Sequence, residues 1–319
     1  MIRVFTAASC QRHRPPGHFP ECQERLEGVL RELGGAGLEI VEVGSHLHSR
    51  SAVLALHDET YLERFRRSVE RGDGLFDSSD NPISEGSWEA AWGAVDATLA
   101  AADWQEEGAD RLAFAAVRPP GHHAERSLAM GFCFFGNVAV GAEYLRSRHG
   151  RRRVAILDFD VHHGNGTQHL LETSPDVLYV STHQFPFYPG TGAASERGVG
   201  PGLGATVNVP LPAGSDDDAY RAAFEEQVLP ALARFAPERL ILSAGFDAWQ
   251  RDLLGGMKVS EAGFAEWGRS LGAFAREHCD RRVLVVLEGG YDLTALPRLV
   301  AVHLEGLAEG LGVPFPGPR

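Results

Sequence analysis

The sequence predicts an α/β fold: one open, mainly parallel sheet with helices on both faces. Short apolar runs alternate with longer amphipathic stretches along all 319 residues, the pattern of strand–helix–strand units. Several of the runs are almost continuously hydrophobic, as strands covered on both sides require. No internal repeat or low-complexity linker breaks the alternation, so residues 1–319 are read as a single domain.

The apolar runs, in order, are 2–5 (IRVF), 39–43 (EIVEV), 111–117 (RLAFAAV), 153–159 (RVAILDF), 177–181 (VLYVS), 206–209 (TVNV), 239–243 (RLILS) and 282–287 (RVLVVL). The helical stretches between them are 20–33, 59–70, 84–102, 134–149, 217–233, 260–277 and 293–311. The Gly- and Pro-rich stretch 186–204 lies between strands and reads as a long loop, a length that in a compact domain usually serves a function. In open α/β sheets, ligands bind beyond the carboxyl ends of the strands. Here four strand ends carry the polar residues: 158–163, 181–183, 245–247 and 288–292.

The composition, 44% hydrophobic and 23% charged, is that of a globular protein with a substantial core. A net charge of −13 argues against general nucleic-acid binding, which needs clustered Lys and Arg. That charge weakly favours cationic substrates. No segment approaches the ~20 apolar residues of a membrane helix, and the N-terminal stretch lacks a secretory apolar run. The four cysteines, Cys10, Cys22, Cys133 and Cys279, form no C-x-x-C pair and suit a reducing compartment. A cytoplasmic protein that engages neither membrane nor nucleic acid is the expectation.

The chemistry starts at Asp158-Phe159-Asp160-Val161-His162-His163. Residues at i and i+2 of an extended segment share a face, and a carboxylate and an imidazole two apart suit Zn²⁺. Alone, this also fits a solvated strand end. An aspartate-nucleophile phosphatase starts similarly, but His162 stands where it wants Thr or Val. Asp247, just past the strand at 239–243 and after Gly245, supplies a third ligand only jointly with the first two; alone it reads as a cap. Three protein ligands with one position open describe a catalytic zinc site. His122 and His123 follow a Pro-Pro-Gly turn. Adjacent imidazoles can each meet a carboxylate that fixes the tautomer, Asp158 being a candidate for one of them. Tyr291 follows Gly289-Gly290 and can place a phenol over the strand ends, where it would donate to an oxyanion; as a lone residue it reads as a packing aromatic.

Together these motifs resemble the histone deacetylase family, in particular its class II branch and the bacterial deacetylase-like amidohydrolases. The resemblance rests on 118–124 (RPPGHHA), 131–135 (GFCFF), 157–168 (LDFDVHHGNGTQ), 179–183 with 188–192 (YPGTG), 243–248 and 288–293, in shared order. It implies Asp160, His162 and Asp247 as ligands of Zn²⁺ or Fe²⁺, His123 as general base and acid, and His122, paired with Asp158, as electrostatic catalyst. It also implies Tyr291 as oxyanion donor. Gly131, Phe132 and Tyr188 match the walls of a tunnel for an acyl-lysine chain, and Asp80 a rim acid. Asp158, Asp160, His162, Ser181 and Thr182 match a structural potassium site. The implied reaction is hydrolysis of an acetyl-amide, from a peptide or a small molecule, to acetate and free amine.

Three positions depart from the pattern: Tyr188 stands where Phe is common, Asn165 where class I enzymes have Asp, and Asp252-Leu253-Leu254 where Asp-Pro-Leu is usual. Polyamine-selective relatives carry Glu seven residues after the metal-binding Asp. The equivalent here is Leu254, which favours a neutral acyl-lysine chain over an acetylpolyamine, unless nearby Asp252 takes the charge role. A dinuclear ureohydrolase on the same fold would need a second Asp close after Asp247, where Ala248-Trp249 stand. A catalytically dead acyl-binding module would have lost a ligand or Tyr291, and neither is lost.

Overall fold

Every apolar run becomes a strand. In the computed structural model, which describes residues 1–316, the chain forms β1 (Ile2–Thr6), β2 (Glu39–Glu42), β5 (Arg111–Ala115), β6 (Val154–Asp158), β7 (Val177–Gln184), β8 (Thr206–Leu211), β9 (Arg239–Ala244) and β10 (Arg282–Leu287). They make one eight-stranded sheet in the order β2-β1-β5-β10-β9-β6-β7-β8, parallel at every pair. All residues of β6, β7 and β9 are buried. Because side chains alternate between faces, both faces of the sheet centre are covered, which is why these strands lack polar–apolar alternation. A short hairpin, β3 (Leu75–Phe76) and β4 (Ser78–Pro82), lies outside the sheet.

The helices are α1 (Gln23–Gly35), α2 (Ser49–Leu56), α3 (Glu59–Arg71), α4 (Ser87–Glu106), α5 (Asn137–His149), α6 (Asn165–Leu171), α7 (Asp217–Ala223), α8 (Leu229–Phe235), α9 (Glu261–His278) and α10 (Leu296–Leu311). α10 packs on α9 and α1, while α4 packs on α5 and against β1 and β5. The helix expected at 217–233 is divided by a widened π turn at Phe224–Val228 ahead of Pro230, whose ring cannot donate the next backbone hydrogen bond. The helix expected from 134 starts at Asn137; before it, Phe134 O accepts from Tyr61 OH and Gly136 N donates to His57 Nε2. α2, α6 and the hairpin had no strong periodicity to announce them. No described helix is long and apolar enough to cross a membrane.

The parallel topology places the carboxyl ends of β5, β10, β9, β6 and β7 side by side. Asp158 is in register with Ser181 on one side and Ser243 on the other, so the polar ends of neighbouring strands share one edge.

Behind that edge lies a buried ionic network. Glu21 accepts from Arg118 Nε and Nη2 at 2.8 and 2.7 Å. Burial opposes its charge, but Arg118 outweighs it and holds the Glu21 carboxyl down to about 2. Burial lowers the imidazoles of His13, His57, His183 and His303 to about 4 each. A histidine depressed on folding adds stability that is full above its unfolded value of ~6.5 and is lost as pH falls towards 4, on the order of 1–3 kcal/mol each. Glu21 adds the same kind of loss below ~4.5. The melting temperature is therefore expected to drop steeply between pH 6.5 and 4. A scan that stays flat from pH 7 to 4.5 would show these histidines to be solvated.

Candidate active site

Directly after Asp158 the chain leaves β6 and turns, bringing Asp160 and His162 towards Asp247 beyond β9. One ligand-type atom from each of these three buried residues lies within 4.8 Å of the others. His162 Nδ1 is 3.0 Å from Asp160 Oδ1 and 3.2 Å from Asp247 Oδ2. Its hydrogen bond goes to Asp160, and the second contact is not aligned as one, so Asp247 Oδ2 stays buried with no hydrogen-bond partner. The other carboxylate oxygens are fixed by backbone: Asp247 Oδ1 accepts from Val161 N at 2.8 Å and Asp160 Oδ2 from Gly289 N at 2.8 Å. Gly289 is required at that position, since a Cβ there would lie 2.2 Å from Asp247 Oδ2 and 2.5 Å from Asp160 Oδ2.

Burial, reinforced by the neighbouring Asp160, raises Asp247 to about 7. Two buried carboxylates facing one imidazole nitrogen, one oxygen of them orphaned, make a donor set that a divalent cation satisfies. The residues present therefore fit the metal that their pattern implied.

The two adjacent histidines diverge. His122 Nδ1 meets Asp158 Oδ2 at 3.1 Å, and that oxygen also accepts from Tyr179 OH at 3.1 Å. Burial disfavours charge on His122, but Asp160 and Asp158 outweigh it and raise the imidazole to about 10. His123 Nδ1 instead meets Asn165 Oδ1 at 2.7 Å. Burial, with His122 and His162 nearby, holds His123 well below the usual imidazole value. The neighbouring backbone bonds are Gly121 N and His122 N to Glu288 Oε2 at 2.6 and 3.2 Å, and Thr167 N to His122 O at 3.0 Å. Glu288 is wholly buried, and burial raises it to about 7.

Two of these groups, His123 and His162, reach a cleft of about 280 Å³ that is also lined by Asp80, Gly131, Phe132, Phe187, Tyr188, Leu254 and Tyr291. Gly131 takes φ +57, and a Cβ there would strike His123 Cδ2 at 2.2 Å, so glycine lets this wall approach the imidazole. Phe132 also has a positive φ, +66, held by its N–H to the buried Asn81 Oδ1 at 2.7 Å. Phe187 stacks on His162 at 5.4 Å, and Tyr188 stands edge-on to His123 at 5.1 Å. Tyr188 OH donates to Asp80 Oδ2 at 2.7 Å, which also accepts from Gly131 N at 3.1 Å; the rim acid thus ties two walls together. Tyr291 lies under the Arg25 guanidinium, 4.9 Å from ring centre, and Arg25 Nε donates to Gly290 O at 2.7 Å.

The sequence-predicted residues therefore meet around one cleft, with Ser181 and Thr182 behind it on β7; the Thr182 hydroxyl is buried without a partner. Asp252 does not take the charge role left open for it. Its carboxylate, which is not part of the cleft lining, accepts from Leu254 N, Tyr291 N and Asp292 N at 2.9, 2.6 and 3.3 Å, which uses it to hold the turn that carries Tyr291. Sequence reasoning missed Asn81, Arg25, Phe187 and Glu125, and assigned no task to Glu288. The lone charged residue in an apolar helix face at Arg25 was the one readable signal among them.

Residues 19–307 match the family model described as "Histone deacetylase domain". The chain is 44% identical to the acetylpolyamine amidohydrolase of Burkholderia pseudomallei over 89% of each chain. It is 40% identical to the histone deacetylase-like amidohydrolase of Pseudomonas aeruginosa, over 89% of this chain and 76% of that one. The crystal structure of an acetylpolyamine aminohydrolase from Burkholderia pseudomallei superposes with a TM-score of 0.87 at 32% identity, covering 97% of this chain and 99% of that one. This chain belongs to the histone deacetylase family and is a hydrolytic enzyme of it.

Proposed function

We propose that the protein is a zinc-dependent deacetylase that hydrolyses an acetyl-amide of the acetyl-lysine type to acetate and a free amine. The observation that carries this reading is the convergence of Asp160, His162 and Asp247, of which His162 lines a cleft together with His123 and Tyr291. When bound there, a divalent ion polarises the acyl carbonyl and acidifies a water. His123 Nε2, free because Nδ1 is engaged by Asn165, takes the proton of the attacking water and serves as general base. His122, held by Asp158, keeps positive charge beside the reacting centre, and a protonated imidazole returns a proton to the departing nitrogen. The Tyr291 phenol donates to the oxyanion of the tetrahedral state. Phe132 and Tyr188 enclose a methylene chain. Asp158, Asp160, His162, Ser181 and Thr182 are proposed to hold a structural potassium ion, for which the partnerless Thr182 hydroxyl offers a donor. Fe²⁺ in place of Zn²⁺ leaves these residue roles unchanged.

The alternative substrate is an acetylpolyamine, as the name of the Burkholderia relative suggests. Leu254 favours acyl-lysine: it lines the cleft and gives a second ammonium no charge to replace its lost water. The test compares kcat/KM for an acetyl-lysine peptide and for N-acetylspermidine. The peptide is expected to be preferred, and Leu254→Glu to move the ratio towards the polyamine by roughly tenfold or more, the range of one charge-assisted hydrogen bond. A parent enzyme that prefers the polyamine would replace this reading with the alternative.

A further inference from the structure

We propose that Glu125 is a positioning residue that sets the tautomer of His123 through the side-chain amide of Asn165. This rests on the reading of His123 as the base only for its kinetic consequence.

An amide has one accepting end and one donating end, and it can turn over between them. If the Asn165 oxygen faces His123, the imidazole must carry its proton on Nδ1, and Nε2 is left with a lone pair towards the cleft. If the NH₂ faces His123, Nδ1 must accept, the proton moves to Nε2, and the ring cannot act as a base there. The amide contains nothing that chooses between these states. Glu125 is the closest group that does: Asn165 Nδ2 lies 2.6 Å from Glu125 Oε1, against 3.3 Å from Met130 Sδ and 3.5 Å from His123 O, and a carboxylate acceptor is the strongest of the three. The NH₂ must therefore face Glu125, and the oxygen must face His123 Nδ1, 2.7 Å away.

The same Glu125 oxygen also receives His169 Nδ1 at 2.7 Å, so the chain His123–Asn165–Glu125–His169 runs from the buried floor to the half-exposed surface of α6. An aspartate in place of Asn165 would need no such helper, because it has no donating end. The pairing of Asn165 with Glu125 thus supplies in two residues the orientation that one carboxylate supplies elsewhere. Loss of the Glu125 side chain should leave its loop in place, since its backbone is held independently: Glu125 N donates to Leu128 O at 2.9 Å and its carbonyl accepts from His57 Nδ1 at 2.9 Å.

The test uses the zinc-loaded full chain. In ¹⁵N-histidine spectra, with the His123 signal assigned by its loss in His123→Ala, the parent is expected to show His123 protonated on Nδ1, and Glu125→Ala to show a mixture with the Nε2-protonated form. Glu125→Ala is expected to lower kcat roughly tenfold, the lower range for removing an outer partner of a reacting imidazole, with KM within about twofold. In the Asn165→Asp background the effect should vanish or reverse, because Glu125 then opposes a second carboxylate. A structural role alone would cost the same in both backgrounds, and that result would overturn the proposal. So would an unchanged His123 spectrum in Glu125→Ala. A changed spectrum with unchanged kcat would support the positioning role and instead remove His123 as the base.

Discussion

Asp247→Ala is expected to lose its divalent ion and at least about 10³-fold of turnover while remaining folded. The loss follows from removing one of three ligands, and with it the several kcal/mol of charge stabilisation that such an ion gives a transition state. The survival of the fold follows from the electrostatics. Asp247 is buried, and burial, reinforced by repulsion from Asp160, raises it to about 7. Without a cation, deletion of one carboxylate relieves that repulsion, at the cost of one hydrogen bond to Val161 N. The metal-free variant should therefore melt at or above the metal-free parent, whereas the zinc-loaded parent should melt well above both. Elemental analysis and thermal melts of the three species check this. A variant that retains both zinc and turnover would remove Asp247 from the site.

Tyr291→Phe is expected to slow turnover by ~10²–10³, the range for deleting one oxyanion donor, with metal content and melting temperature unchanged. Only a hydroxyl is removed. The ring stays under Arg25 at 4.9 Å, and the turn stays held by Asp252 through the Tyr291 N–H at 2.6 Å. KM should change little, because the donor acts on charge that develops after binding. Near-normal kcat in the variant would mean that the metal alone stabilises the oxyanion.

The sheet was legible in the sequence because buried parallel strands are written as unbroken apolar runs, and all eight runs became strands in one sheet. Side-by-side chemistry was legible for a related reason: a parallel sheet puts successive carboxyl ends on one edge, so polar residues ending separate strands must gather there. What could not be read was pairing across the site. From the residues alone Asp158 had two histidines within reach; the family resemblance pairs it with His122, and the structure shows that pairing and gives Asn165 to His123. Asp252 read as a spare charge near the mouth, since sequence does not show that three backbone N–H groups converge on its carboxylate. Asn81 and Arg25 act on backbone of distant segments, contacts that leave no periodic trace. The short helices α2 and α6 are too brief to express a helical period, and α6 owes its place to packing under the 121–124 turn.

The most direct measurement of the central claim is acetate release from an acetyl-lysine peptide by chelator-stripped protein titrated with Zn²⁺. The account predicts no release from the stripped protein and a rise that saturates at one equivalent per chain. In Asp247→Ala the same titration should stay at baseline. Release that persists in the stripped protein, or that needs two equivalents, would contradict a single catalytic ion on Asp160, His162 and Asp247.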